Sequence, residues 1–331
     1  MSQGFVLGMD IGYSNLNLAM GYRDKAMETK ILPVGAAPIE FMPRTVTGGY
    51  GTAGDFVQVL VNGEQWVAGV EPERLQGWER ELHASYPETN QYKALFYAAL
   101  ALTGQKEIEV LVTGLPVSQF VVSEHRQSLE NMLKGKHRIS EKVEIEVKNV
   151  LIVPQPAGAY MDMTNKAESD LELLINEGKT IVIDPGFFSV DWVALEEGEV
   201  RFDYSGTSLK AMSVLLERTA LLIRNEYGGD LSVEKIEKAI RAGKNEIPLY
   251  GQMVNFRPYL EHAMREVPKE ALTALKKTMR SDGLDADVVL LAGGGALAYQ
   301  DAAVEIFPKS RIVVSDEPVM ANARGFWLLA G

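Results

Sequence analysis

The sequence predicts an α/β protein with mixed sheets, built from two related halves, and three observations carry that prediction. Short apolar runs of strand length alternate with helix-like segments along the whole chain. The chain has 331 residues, beyond the roughly 250–300 at which a single hydrophobic core stops growing. The octapeptide Asp10-Ile-Gly-Tyr-Ser-Asn-Leu-Asn17 also aligns without a gap on Asp184-Pro-Gly-Phe-Phe-Ser-Val-Asp191. Both copies follow an apolar run, read Asp-x-Gly-aromatic, end on Asn or Asp and continue into strand pattern.

Taken in order, residues 5–9 are an apolar strand, Asp10-Ile11-Gly12 a turn, and Leu16, Leu18 and Met20 alternate in a second strand. Residues 33–56, rich in Pro, Gly and Thr, are predicted as an irregular excursion. Strand pattern resumes at 56–61 and 65–70 around the turn Asn62-Gly63. A buried helix rich in Ala and Leu is expected over 92–102, a strand over 108–113, and a helix over 118–134 with Val122, Leu129, Met132 and Leu133 in the core. Two strands follow at 143–147 and 150–153. Pro154-Gln155-Pro156 forces extended backbone before a helix from about Ala157, and a polar helical stretch covers 164–179. The second half opens on a very apolar strand at 181–183 and a helix over 208–226. Ser232 starts a helix with Ile236, Ala239 and Ile240 on one face, and Pro268 opens another carrying Leu272, Leu275 and Met279. A buried strand at 288–292 runs into Gly293-Gly294-Gly295, and a strand at 312–314 and a helix from Val319 complete the chain.

Composition removes several function classes. With 46% hydrophobic and 24% charged residues, the chain is neither disordered nor a long coiled coil. Thirty-three basic against 45 acidic residues leave a net charge of -12, which argues against direct nucleic-acid binding as the main activity. No Cys is present, so disulfides, thiolate metal sites and a cysteine nucleophile are excluded. The four His residues, His83, His125, His137 and His262, form no ligand pair at helical spacing. Apolar runs fall short of the ~18 residues of a membrane span, and the first residues lack signal-peptide form. A cytoplasmic protein without membrane contact is the expectation. GxGxxG is absent from the first strand–turn unit, and GxxxxGK[ST], GxSxG and HExxH are absent throughout.

The repeated hairpins point to phosphate chemistry. A strand–turn–strand with Gly and small polar residues at its tip aims several backbone N–H groups into one space, a nest suited to phosphate oxygens. An Asp at the end of the first strand repels phosphate but can hold hydrated Mg²⁺, which keeps several waters and takes one or two carboxylates. A single Asp-x-Gly reads better as a plain tight turn; two gapless copies, one opening each half, reverse that preference in favour of a clamp on polyphosphate with Asp10 and Asp184 near the metal. The three glycines after residue 292 allow close approach of a ligand to the backbone, although one glycine-rich strand-to-helix turn is also common packing. Gln155, held between prolines before a helix, suits the orientation of a water, since phosphoryl transfer rests on positioning and electrostatics. It also reads as a loop cap, and the residues alone leave both readings open.

These segments together resemble the actin, chaperone and sugar-kinase ATPase superfamily. They occur in its order: first phosphate hairpin (8–21), first connecting helix (152–162), second phosphate hairpin (181–195), adenosine motif (288–303) and second connecting helix (316–331). The chain is most similar to the prokaryotic actin-like proteins, the ParM/StbA-type plasmid segregation proteins and the compact archaeal actin relatives. It leaves no residues for a chaperone's peptide-binding domain and has no Cys for the zinc motif of the short repressor-kinase group. The resemblance implies an actin-like ATPase fold: two duplicated RNase H-like halves around a nucleotide cleft, each with a small insertion. The first half would be 1–160 plus 316–331 with an insertion at about 35–79, the second 161–315 with one at about 227–282.

The resemblance also assigns roles by position. Asp10 and Asp184 match the acidic residues facing Mg²⁺, Gly12, Tyr13, Ser14 and Asn15 the first phosphate loop, and Gly186, Phe187, Phe188 and Ser189 the second. Gln155 stands where the family aligns the attacking water, and Gly293, Gly294, Gly295 and Ala296 match the adenosine loop. Asn17 replaces a phosphate-binding Lys common in the family, Phe187-Phe188 replaces small or Thr residues, and Asp191 keeps a second acidic position of structural character. The implied cofactors are ATP and Mg²⁺; base contacts expected within 205–245 are not specified by the motif, so GTP stays open. The implied function is nucleotide-driven self-association into filaments that move plasmid or other DNA through a DNA-binding adaptor protein. A small-molecule kinase and a non-hydrolysing filament scaffold of the same fold are the alternatives.

Overall fold

A computed structural model describes residues 4–44, 56–279 and 285–330. Part of the excursion expected over 33–56 and the end of the insertion expected to reach 282 lie outside these residues. The chain divides into two compact units, one of Met1–Ala167 with Val319–Gly331, the other of Glu168–Pro318.

The first unit contains β1 (Phe5–Ile11), β2 (Asn15–Tyr22), β3 (Glu28–Pro33), β4 (Gly35–Pro38), β5 (Val57–Val61), β6 (Glu64–Val70), α1 (Asn90–Thr103), β7 (Glu107–Leu115), α2 (Val117–Phe120), α3 (Ser123–Leu133), β8 (Gly135–Arg138), β9 (Glu144–Pro154) and α4 (Gln155–Lys166), and it is closed by a C-terminal helix (Ala321–Leu329). Its main sheet runs β3-β2-β1-β7-β9-β8, with β1 to β3 an antiparallel meander and β7 and β9 parallel to β1 and to each other. A three-stranded sheet, β4-β6-β5, stands beside it. Every residue of β1 is buried, as expected of a central strand covered on both faces. Helix α1 shares a core with β1 and β2 through Leu95, Phe96, Leu7 and Leu16, while Phe326 of the C-terminal helix packs with Val6 and Val112.

The second unit contains α5 (Ser169–Glu177), β10 (Lys179–Pro185), β11 (Val190–Glu196), β12 (Glu199–Ser208), α6 (Met212–Tyr227), α7 (Val233–Arg241), β13 (Glu246–Leu249), β14 (Gln252–Asn255), α8 (Arg257–Met279), β15 (Val288–Leu291), α9 (Ala296–Ile306) and β16 (Arg311–Val314). Its main sheet runs β12-β11-β10-β15-β16. Again three antiparallel strands precede two parallel ones, so the repeat read in eight residues extends to the wiring of both sheets.

Several local expectations are corrected. Asp10 and Ile11 belong to β1 rather than to a turn, because pairing continues to Ile11 opposite Leu16. The two strands expected at 143–153 are one, since β9 pairs with β7 from Glu146 to Pro154 across its polar Lys148 and Asn149. The helix over 118–134 is broken at Val122, which is extended and 38% exposed instead of in the core. The helix from residue 208 begins at Met212, because Ser208 still pairs with Val190. Pro268 lies inside α8 rather than opening it; burial of Val267, Ala271 and Leu272 around it sustains the helix. Ser232 precedes α7 without a side-chain capping bond, and Ile240 is half exposed.

In the first unit α4 and the C-terminal helix cross at two glycines. A Cβ on Gly325 would lie 1.7 Å from the Gly158 carbonyl oxygen, so only bare backbone permits the contact. Beside the crossing, Arg324 donates from Nε to Asp162 Oδ1 at 2.9 Å and from Nη2 to Oδ2 at 2.6 Å. Both side chains of this forked pair are buried.

Candidate functional site

The site is built first around Asp10. It sits one residue before the end of β1, directly opposite Asn17 on β2, and the tip closes with the Gly12 N–H donating to the Asn15 carbonyl at 3.0 Å. Asn17 Nδ2 donates to Asp10 Oδ2 at 3.2 Å. From the first residue of α4, Gln155 Nε2 donates to Asp10 Oδ1, also at 3.2 Å. Helix α4 starts there because Pro154 ends β9 in extended conformation and Pro156 is set for a first turn. A third amide, Asn322 in the first turn of the C-terminal helix, donates to Asp10 as well. Burial pushes the Asp10 carboxyl above the usual carboxylate range, and the amides of Asn17, Gln155 and Asn322 oppose that shift.

The oxygens left over define what this site can take. Asn17 is 4% exposed and its Oδ1 is buried without a hydrogen-bond partner. A carboxylate and an orphaned amide oxygen side by side are acceptors only, a set that fits a cation or its water and not a bare phosphate. Among the described residues no group of three or more His, Asp or Glu could enclose a metal. A cation at Asp10 would therefore retain waters, as Mg²⁺ does.

The second hairpin repeats the first in register. Asp184 lies opposite Asp191, and the Gly186 N–H donates to the Ser189 carbonyl at 2.8 Å. Its side chains are used differently: Asp191 accepts from Ser189 Oγ at 2.6 Å and from Thr207 Oγ1 at 2.5 Å, so both its oxygens are satisfied inside the unit. The tip is docked on the start of α6, with Gly186 O accepting from the Met212 N–H at 3.2 Å and Phe187 O from that of Ser213 at 2.8 Å. The Phe187 ring packs against the core cluster that includes Leu215, Leu216 and Phe256. In the first hairpin Tyr13 stacks on Tyr86 at 4.7 Å and donates to the His83 carbonyl at 3.0 Å. Both aromatic side chains are thus committed to packing, leaving backbone as what these positions offer a ligand.

The glycine turn after β15 is locked to this second hairpin. Gly293 has φ +75°, and a Cβ there would lie 2.0 Å from Asp184 Oδ1. The Gly295 N–H donates to the Pro185 carbonyl at 2.8 Å, and its Cβ would crowd that oxygen and Met212. Ala296, fully buried, begins α9. Gly294 differs: it is exposed, and nothing lies within 4 Å of where its Cβ would be. The fold explains the outer glycines, while the middle one leaves open room beside Asp184's neighbour.

The structure therefore brings together Asp10, Gly12 to Asn15, Asn17 and Gln155 in one unit, and Asp184, Gly186 to Ser189 and Gly293 to Ala296 in the other. Sequence reasoning missed Asn322 and Thr207. A signal for Asn322 existed: Gln155-Pro-Ala-Gly158 and Asn322-Ala-Arg-Gly325 share an amide three residues before the crossing glycine. A cavity of about 460 Å³ lined by Leu115, Gln119, Leu129 and Met132, among others, shares no residue with either group.

Comparison with known proteins decides the family. Residues 8–158 match the family described as actin like proteins, N terminal domain, and residues 182–305 match the archaeal actin homologue MreB-like, C-terminal family. The chain belongs to the actin-like superfamily. Similar solved structures span nearly the whole chain. A pCBH ParM non-polymerisable quadruple mutant is 20% identical, with 98% of each chain covered and a TM-score of 0.76. An archaeal actin homologue in complex with ADP is 16% identical, covering 100% of this chain and 99% of that one, at a TM-score of 0.74. A 15-stranded ParM filament from Clostridium botulinum is 19% identical, with 99% of each covered, at a TM-score of 0.74. No protein of curated function matches in sequence. The actin-like fold expected from the hairpins is thus borne out. Among the described residues no helix is long and apolar enough to cross a membrane.

Proposed function

We propose that this actin-like chain binds a nucleoside triphosphate with Mg²⁺, hydrolyses it, and assembles into filaments under nucleotide control. The observation that carries the reading is the second appearance of one hairpin in the same register, each with an Asp at the same place and an N–H to C=O closure at the tip. In this reading the backbone of Gly12 to Asn15 and of Gly186 to Ser189 holds phosphate oxygens. Asp10 and Asp184 hold Mg²⁺ through water, and Gly293 to Ala296 receive the nucleoside, with Gly294 the point of close approach. The bound Mg²⁺ would neutralise phosphate charge. Gln155 donates its N–H to Asp10, which leaves Oε1 to accept from a water and orient it. An amide beside Asp10, where proton abstraction from a sugar hydroxyl would call for a carboxylate, favours hydrolysis over a small-molecule kinase.

The similar proteins support this reading by what was found with them, ADP in one and a filament in another. The net charge of -12 fits a filament that moves DNA through a basic adaptor protein rather than by direct contact. Sedimentation with ATP or GTP and Mg²⁺, followed alongside phosphate release, tests the proposal. Pelleting that requires nucleotide, and is lost in Asp184→Ala with phosphate release, is the expected result. Assembly of Asp184→Ala at the wild-type rate would overturn the assignment of the second hairpin.

A further inference from the structure

Three neutral amides converge on the buried Asp10 carboxylate, and two of them begin helices that cross each other. Gln155 opens α4 and Asn322 lies in the first turn of the C-terminal helix, each three residues before the glycine of the crossing. Asn322 is held at both ends. Its amide nitrogen serves Asp10, while its Oδ1 accepts from the Ala159 N–H on α4 at 3.2 Å. With one side of the amide bound to an acceptor and the other to a donor, the group cannot flip without losing both bonds. The crossing has little slack, because Gly158 and Gly325 are in backbone contact and Arg324 grips Asp162 with two bonds.

We infer that Asn322 is a positioning residue that ties the Asp10 carboxylate to the crossing of α4 and the C-terminal helix, so that cation capture at Asp10 and the geometry of that crossing form one equilibrium. The inference rests on the Mg²⁺–nucleotide reading of the site. A carboxylate has about four lone-pair sites, and three amides already draw on them. One site is left, so a cation or water that makes more than that single contact with the carboxylate displaces an amide bond. Displacement at Asn322 is felt at Ala159, because the same amide plane carries both bonds. Displacement at Asn17 has no such consequence, since its other atom bonds nothing.

Two variants separate this role from simple packing. Asn322→Ala removes both bonds. Asn322→Asp keeps the acceptor for Ala159 N–H, and so the tie between the helices, but sets a second carboxylate against Asp10 in place of the amide donor. Nucleotide affinity is measured calorimetrically across a Mg²⁺ titration, and amide hydrogen exchange is followed over residues 155–166. The wild type is expected to change protection of α4 when Mg²⁺–nucleotide binds. Asn322→Asp is expected to change the Mg²⁺ needed for half-maximal binding by about tenfold, the scale seen when a residue that orients a metal ligand is altered, and to lose the exchange response. If Asn322→Ala fails to fold, Asn322→Asp carries the test alone. Wild-type Mg²⁺ dependence and exchange response in Asn322→Asp would overturn the inference while leaving the nucleotide reading intact. A wild-type chain that binds no nucleotide would defeat both.

Discussion

In the first hairpin the residues at the paired register positions are Asp10 and Asn17, and they bond to each other; in the second they are Asp184 and Asp191, and Asp191 turns both its oxygens to Ser189 and Thr207 instead. The backbone is the same down to the hydrogen bond that closes each tip. What differs is how charge is managed. The first copy meets one buried carboxylate with three amides and leaves an acceptor, Asn17 Oδ1, without a partner. The second copy closes its distal carboxylate with two hydroxyls and fits its proximal one against a glycine with φ +75°. Side-chain chemistry has therefore diverged on a backbone register that has not, and in the proposed reading ligand-directed capacity rests on Asp10 and Asn17 in one copy and on Asp184 with the glycine turn in the other.

That contrast can be broken or sharpened by experiment. The largest effect is expected at Gly293, where a Cβ would meet Asp184 at 2.0 Å in a left-handed backbone. Gly293→Ala should cost about 3 kcal/mol of stability, measured by denaturant unfolding. Gly294→Ala, in open space, should stay within about 0.5 kcal/mol of wild type while weakening nucleotide binding; equal stability losses at both positions would refute the distinction. Next is Ser189→Ala, which strips one of the two hydroxyls from buried Asp191 and should cost about 2 kcal/mol with the Mg²⁺ dependence of binding unchanged. The smallest effect is a pH slope in the ligand-free protein. Asp10's carboxyl is raised by burial, so between the ordinary carboxylate range and that raised value the folded chain holds a proton the unfolded chain has released. Stability should fall as pH rises through this window and level off above it. Asp10→Asn should flatten that component of the slope in thermal melts taken across acidic pH, and an undiminished slope would reassign it to another group.

Reading the chain alone found the elements whose signal is local and strong. β1, β10 and β15, buried on both faces, appear as unbroken apolar runs. Edge strands β3 and β12, exposed or half exposed along most of their length, carry no such run and are absent from the reading of the sequence. Pro268 misled because proline usually marks a helix start, whereas here packing on both sides holds α8 together through it. Gln155 was found as a site candidate because two prolines mark it; Asn322 was not, because its partner Asp10 lies at the opposite end of the sequence. Thr207 has no local signal of its own, because only the pairing of β11 with β12 sets it opposite Asp191.

The order of residues was enough to establish the duplication, the hairpin tips, the actin-like class and the two acidic positions, since each is written in neighbours along the chain that set turn geometry and strand burial directly. Only folding decided which groups surround each carboxylate. Asn322 reaches Asp10, and Gly293 makes way for Asp184, because sheet wiring brings distant helix starts and turns to the ends of the central strands. A buried charge is tuned by whatever lies within a few ångströms of it, and such proximity is a property of packing rather than of spacing in sequence.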